Sequence, residues 1–246
     1  MKTKLLISII LVVLLTSCSK NDETLGQEDN HNSSTVVDAD GNVYHTVIIG
    51  TQTWLIENLK TTKFNDGTSI PNITDNTEWT NLTTPGFCWY NNDVATNKNL
   101  YGALYNWYAV STGNLAPKGW HVPTDVEWTT LEDYVSSHLG NSISVAKALA
   151  SKTGWNTSNE IGLIGFDMEK NNSSGFSALP GGSRIGGGDI GQFYAKMNNG
   201  IWWSSTGYNT YRAWLRELLS GLNYLRTDGY NYFKQQGASV RCIRDS

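Results

Sequence analysis

Gly119-Trp120-His121-Val122-Pro123-Thr124-Asp125-Val126-Glu127-Trp128-Thr129-Thr130-Leu131 joins a strand end, a rigid turn and a capped helix start. Pro123 fixes its own φ and biases Val122 away from helical backbone, so the chain arrives extended. Thr124 is the expected N-cap, and Glu127 is placed to return a hydrogen bond to the Thr124 N–H. Such a capping box is worth about 1 kcal/mol. Trp128, Leu131, Tyr134, Val135 and Leu139 then recur at helical spacing and predict a stripe facing a core, with Gly140 as the stop. These residues fix a helix entry and carry no reaction of their own.

Working outward, Val43–Ile49 is rich in β-branched residues and predicts a strand, followed after Gly50-Thr51-Gln52 by a second over Thr53–Leu59. Residues 65–85 predict a loop and Phe87–Tyr90 a short strand. Tyr101–Val110 predicts the first helix and Val145–Lys152 the third. Residues 155–172 and 186–199 are Gly- and Asn-rich and predict long loops. Beyond them Ile201–Ser205, Arg212–Leu219, Asn223–Thr227 and Ala238–Arg244 predict an antiparallel meander. Helices in the first half and strands in the second give an α+β class.

The N-terminus predicts export. Lys2 and Lys4 precede an apolar run, Leu5–Leu15, that is too short to span a bilayer as a mature helix. It closes on Leu15-Thr16-Ser17-Cys18, which resembles a bacterial lipobox with Cys18 as the lipid-attachment residue. Residues 1–17 are then a signal peptide, 18–35 a polar tether too poor in apolar residues to fold alone, and 36–246 the domain. The tether's Asn21-Asp22-Glu23 resembles surface-export signals of Bacteroidetes lipoproteins, which implies an outer-membrane, surface-exposed protein. Loss of Lys2 and Lys4 leaves 16 basic residues of the original 18 against 22 acidic ones, a net charge of −6. With no basic stripe, nucleic acid is not an expected partner; the membrane is one, through Cys18. Cys88 and Cys242 remain as an even pair in an oxidising compartment, so a disulfide is the expectation, with buried free thiols or a metal pair as alternatives.

The opening stretch also carries a resemblance. Gly119–Val135 is similar to the signature segment of the Fibrobacter succinogenes major paralogous domain family. The other blocks follow in order: Asp38–Lys60, "CWYNND" (Cys88–Asp93), "YGALYNWYAV" (Tyr101–Val110), "GFSALPGGSR" (Gly175–Arg184), "WWSST" (Trp202–Thr206) and "SVRCIRD" (Ser239–Asp245). The resemblance implies a C-type-lectin-like fold, shared with formylglycine-generating enzyme, whose "LPTEAEW" segment is similar to Val122–Trp128. That enzyme uses a copper-binding cysteine pair. Here only Cys242 falls in the matching segment, so oxidase activity is not expected. The "EPN", "QPD" and "WND" sugar motifs of calcium-dependent lectins are absent as well.

Other constellations resolve to scaffold. Asp38-Ala39-Asp40-Gly41-Asn42 lacks the glycine position and bidentate Glu of a calcium loop and reads as an Asp-Gly turn. Gly186–Gly191 matches G-x-G-x-x-G formally, but no βαβ setting surrounds it. His31, His45, His121 and His138 show no zinc spacing, and His121 reads as a scaffold histidine. No cofactor is expected; calcium is conceivable but has no motif. The remaining signal is aromatic. Trp155, Tyr208, Tyr211, Trp214, Tyr230 and Tyr232 lie in or beside turns and are the candidate ligand-binding residues, while Trp202 and Trp203 are expected to place one ring in the core and one outside. The expected function is a lipid-anchored envelope protein that binds glycan or another surface polymer without turning it over. The alternatives are an enzyme of the formylglycine-generating type with altered chemistry, and a structural or adhesive component of the envelope.

Overall fold

The structure, a computed structural model, describes residues 34–138, 144–188, 191–228 and 232–245. The expected signal peptide, Cys18, the helix stop at Gly140 and the candidate Tyr230 lie outside them. No helix among the described residues is long and apolar enough to cross a membrane.

The first strands are β1 (Thr35–Val37), β2 (Val43–Ile49) and β3 (Gln52–Leu55). Thr35 pairs with His45 in the first strand pair. After α1 (Asn76–Asn81) come β4 (Phe87–Cys88), α2 (Val94–Tyr101), β5 (Leu104–Tyr105) and α3 (Trp107–Val110). β6 (Trp120–His121) leads into α4 (Asp125–His138), followed by α5 (Val145–Leu149), β7 (Ser183–Arg184) and β8 (Phe193–Tyr194). The chain ends with β9 (Asn199–Gly207), β10 (Ala213–Leu219), β11 (Arg226–Asp228) and β12 (Ile243–Arg244). Five strands form one sheet in the order β1-β2-β3-β12-β6, and β11-β10-β9 form a second, all antiparallel. The class is α+β.

The capping box around Thr124 is present. Thr124 N–H donates to Glu127 Oε2 at 2.8 Å, and Glu127 N–H returns to Thr124 Oγ1 at 3.3 Å. His121 bridges Glu127 Oε1 (2.9 Å) and Asp245 Oδ1 (2.7 Å), tying helix entry to chain end. Burial opposes protonation of His121, but these two carboxylates outweigh it and hold its pKa above the ordinary value.

Three expectations are corrected. Tyr101–Val110 is not one helix. Gly102 has φ 76°, and a Cβ there would lie 2.7 Å from the Leu59 carbonyl oxygen, so α2 ends and Leu104–Tyr105 pairs with Phe87–Cys88 instead. Asn106 then restarts a short helix by accepting from Ala109 N–H at 3.0 Å. The expected 65–85 loop contains α1, capped by Asp75. Trp202 and Trp203 do point to opposite faces, but both are buried because the sheet is covered on both sides. Trp203 enters a cluster with Tyr44, Leu55, Tyr105, Leu215 and Cys242, and Trp202 one with Trp54, Trp128, Leu149 and Phe176.

The Cys88–Cys242 disulfide is absent: both thiols are free and buried. Cys242 packs in the Trp203 cluster, whereas Cys88 sits with Ile73, Trp79, Tyr90 and Leu104. Burial pushes the Cys88 thiol up to about 12, against the pull of Arg184. Burial raises Cys242 too, so neither is poised as a reactive thiolate.

Two buried arginines fasten loops to this frame. Arg241 donates to the Leu55, Phe176 and Ser177 carbonyls at 2.9, 2.7 and 3.1 Å and to Asn58 Oδ1 at 2.8 Å. Arg184 donates to the carbonyls of Ile73 (2.6 Å), Thr74 (3.0 Å) and Gly191 (3.0 Å) while lying between the Trp79 and Phe193 rings. Arg184 thereby fixes β7 and its neighbour Ser183.

Candidate functional site

The β9–β10 pairing sets Glu217 opposite Ile201 and Leu215 opposite Trp203, which places these four on one face by strand alternation. The return segment 232–236 passes over this face. Tyr232 Oη donates to Glu217 Oε1. Arg226, one strand over, lies 2.9 Å from Glu217 Oε2, an ion pair without hydrogen-bond alignment, and 2.6 Å from Asp228 Oδ2. Burial pushes the Glu217 carboxyl above its ordinary range, and the Tyr232 donor and the Arg226 charge offset this only in part. The Tyr232 phenol is raised in turn by burial and by the Glu217 charge.

Beside this cluster is a cleft of about 250 Å³. Tyr194, Tyr232 and Phe233 are the aromatic residues of its lining, and Ile185 and Ile201 the aliphatic ones. Ser183, Asn199 and Gln236 supply polar groups. Among the described residues, the Ser183 hydroxyl and the Asn199 side-chain amide make no hydrogen bond to the protein. Gln236 uses only Oε1, which accepts from Gly186 N–H at 3.4 Å, leaving its NH₂ free to donate. Ser183 and Gln236 are 1% and 5% exposed, and neither side chain has a fully enclosed polar atom left without a partner. A small-molecule site has this combination of apolar walls with a few convergent polar groups.

The glycine run explains itself here. A Cβ on Gly186 would lie 2.3 Å from the Gln235 carbonyl oxygen, and one on Gly187 would lie 2.4 Å from the Phe233 ring. These glycines let the loop close against the return segment and shape the cleft; Asp189 and Ile190 lie outside the described residues.

Of the five aromatic candidates among the described residues, Tyr232 alone lines the cleft. Trp155 is 3% exposed and donates from Nε1 to Ser151 Oγ (3.1 Å) and the Ala178 carbonyl (3.2 Å), so it is a core residue and is withdrawn as a ligand contact. Tyr208 and Tyr211 are 43% and 70% exposed on the β9–β10 connection, where the Tyr208 ring meets half-buried Trp214 edge-on at 5.1 Å. The Tyr211 carbonyl accepts from Lys234 N–H (2.9 Å), and Arg212 stacks 4.8 Å from the Phe233 ring centroid. This aromatic edge therefore adjoins the segment that walls the cleft.

The sequence reading missed Tyr194, Phe233, Ser183, Asn199 and Gln236. Phe193 and Tyr194 form an inward–outward pair on β8, an alternation too short to stand out from a Gly-rich loop. The three polar residues come from separate segments, and no local pattern joins them. As for metals, no group of three or more His, Cys, Asp or Glu side chains suited to holding an ion occurs among the described residues. Asp40 is instead engaged with Thr62 N–H and Lys63, and Asp38 with Asn42 and Tyr44, as an Asp-Gly turn requires.

No curated protein matches the chain. No solved structure matches it either. Residues 47–244 match the model of the Fibrobacter succinogenes major domain, and the chain belongs to that family.

Proposed function

We propose that this protein is a lipid-anchored component of the cell envelope whose domain binds glycan in the Tyr232 cleft without turning it over. Cys18 is the lipid-attachment residue, the outer membrane the location, and the C-type-lectin-like topology the finer description of its α+β fold. One observation carries the binding reading: Ser183, Asn199 and Gln236 present uncommitted hydrogen-bonding groups between aromatic and aliphatic walls. Sugar rings offer hydroxyls to such groups and C–H faces to such walls. At about 250 Å³ the cleft falls below the roughly 300–1,000 Å³ typical of drug-sized ligands, which suits one sugar unit of a longer chain. Tyr208, Tyr211 and Trp214 extend the aromatic surface along which further units can lie.

A glycan-array screen of residues 19–246, with calcium and again with a chelator, tests the proposal. The expected result is saturable binding to one glycan class, unchanged by chelation and weakened by Tyr194→Ala. Silence across a broad array with folded protein overturns it. Loss of binding in chelator shows that calcium has a site outside the motifs considered.

A further inference from the structure

Resting on the glycan reading of the same cleft, we infer that the sugar it takes is an uncharged N-acetylated hexosamine, and that uronic and sialic acids are excluded. Among the described residues, no Asp, Glu, Lys or Arg lines the cleft. Charges on residues adjoining the lining are engaged elsewhere: Arg184 donates to the Ile73, Thr74 and Gly191 carbonyls and Lys234 to the Thr210 carbonyl. Glu217 is held by Tyr232 and Arg226, Arg226 is shared with Asp228, and Arg212 lies over the Phe233 ring rather than in the cleft lining. A sugar carboxylate entering here finds no counter-ion among the described lining residues and meets the Glu217 charge behind Tyr232. Burying an ion without a partner is far costlier than burying a hydroxyl.

The acetamido group is what the remaining lining matches. Its carbonyl oxygen can accept from the Gln236 NH₂, and the Asn199 side chain can both donate to it and accept from its N–H. Its methyl group needs an apolar surface, which Ile185 and Ile201 supply beside those amides. A plain hexose would put a hydroxyl against the isoleucines and leave one of the amides without its complement. Sites built to hydrogen-bond a given group reject analogues lacking it, because their own buried polar atoms are then left unpaired.

The test is an NMR titration of residues 19–246 with N-acetylglucosamine, N-acetylgalactosamine, glucose, glucuronic acid and N-acetylneuraminic acid. At least one N-acetylhexosamine is expected to bind tenfold or more tighter than glucose. The two acids are expected to bind no tighter than glucose, and N-acetylneuraminic acid is the sharper control because it carries an acetamido group as well as a carboxylate. Asn199→Ala is expected to reduce the preference for the N-acetylhexosamine over glucose at least threefold while leaving the amide spectrum folded. Equal or tighter binding of glucose or of either acid overturns the inference and leaves the glycan reading standing. An unchanged preference in folded Asn199→Ala overturns the placement of the acetamido group. Absence of binding to all five sugars, and to their oligomers on the array, overturns both.

Discussion

Tyr232→Phe separates the two roles of this residue, since it keeps the ring that walls the cleft and removes the hydroxyl that serves Glu217. In the native fold Glu217 is fully buried, and its partners among the described residues are the Tyr232 donor and the unaligned Arg226 charge. Deleting a hydrogen bond to a buried ionised group costs about 1.5–3 kcal/mol, against about 0.5–1.5 for a neutral one. The folded-state pKa of Glu217 already lies above its unfolded value. Stability linked to it is therefore fully present below the unfolded pKa and declines as pH rises through the folded one. Removing the hydroxyl raises the folded pKa further and steepens that decline. The expected loss is about 2–3 kcal/mol at pH 7.5 and about 1 kcal/mol at pH 4.5, where the carboxyl is protonated to a larger extent. Urea unfolding at the two pH values measures both, and for a domain of this size the neutral-pH loss is a fall in Tm on the order of 5–10 °C. A loss that is the same at both pH values, or greater at the lower, refutes the assignment of Glu217 as the residue served by Tyr232.

Thr124→Ala removes the hydroxyl side of the capping box while leaving the Glu127–His121 contact, and is expected to lower stability by about 1 kcal/mol in denaturant unfolding. Gly186→Ala forces a Cβ against the Gln235 backbone, so a destabilisation of about 1–3 kcal/mol is expected, together with amide shifts in residues 232–236. For Cys88 and Cys242, denaturation without reductant of a form lacking Cys18 is expected to release two titratable thiols, and the native protein to react with neither at neutral pH. Recovery of none shows a bridge and refutes the separation of the two cysteines.

The helix at Asp125 was legible because everything that specifies it is local: a proline, a capping pair and a stripe of apolar residues. The strands Val43–Ile49 and Ala213–Leu219 were legible for a similar reason. Tyr101–Val110 misled because its aromatic cluster mimics a helical face, while the glycine that breaks it is required by the Leu59 backbone, distant in sequence. Parity predicted a disulfide, but evenness of number says nothing about proximity, and the two cysteines belong to different clusters. Trp155 failed as a candidate because an aromatic among Gly and Asn looks exposed in sequence, yet its indole caps Ser151 and Ala178 inside the core. The cleft was illegible for a deeper reason. Its polar groups belong to three separate segments and are distinguished only by the hydrogen-bonding capacity they leave unused, a property that exists after folding and not before.

The last strand closes the largest sheet from within. Ile243 pairs with Trp54 on one side and His121 on the other, and Asp245 accepts from the same histidine. A growing chain therefore carries β3 and β6 with a missing central neighbour until Ile243 and Arg244 have been made. Contacts spanning most of the chain form late and slow folding. Under the export proposed above, this order of events is itself useful. The sheet stays open and the chain remains threadable for as long as β12 is unmade, and removing Ile243 and the residues after it should hold it in that state.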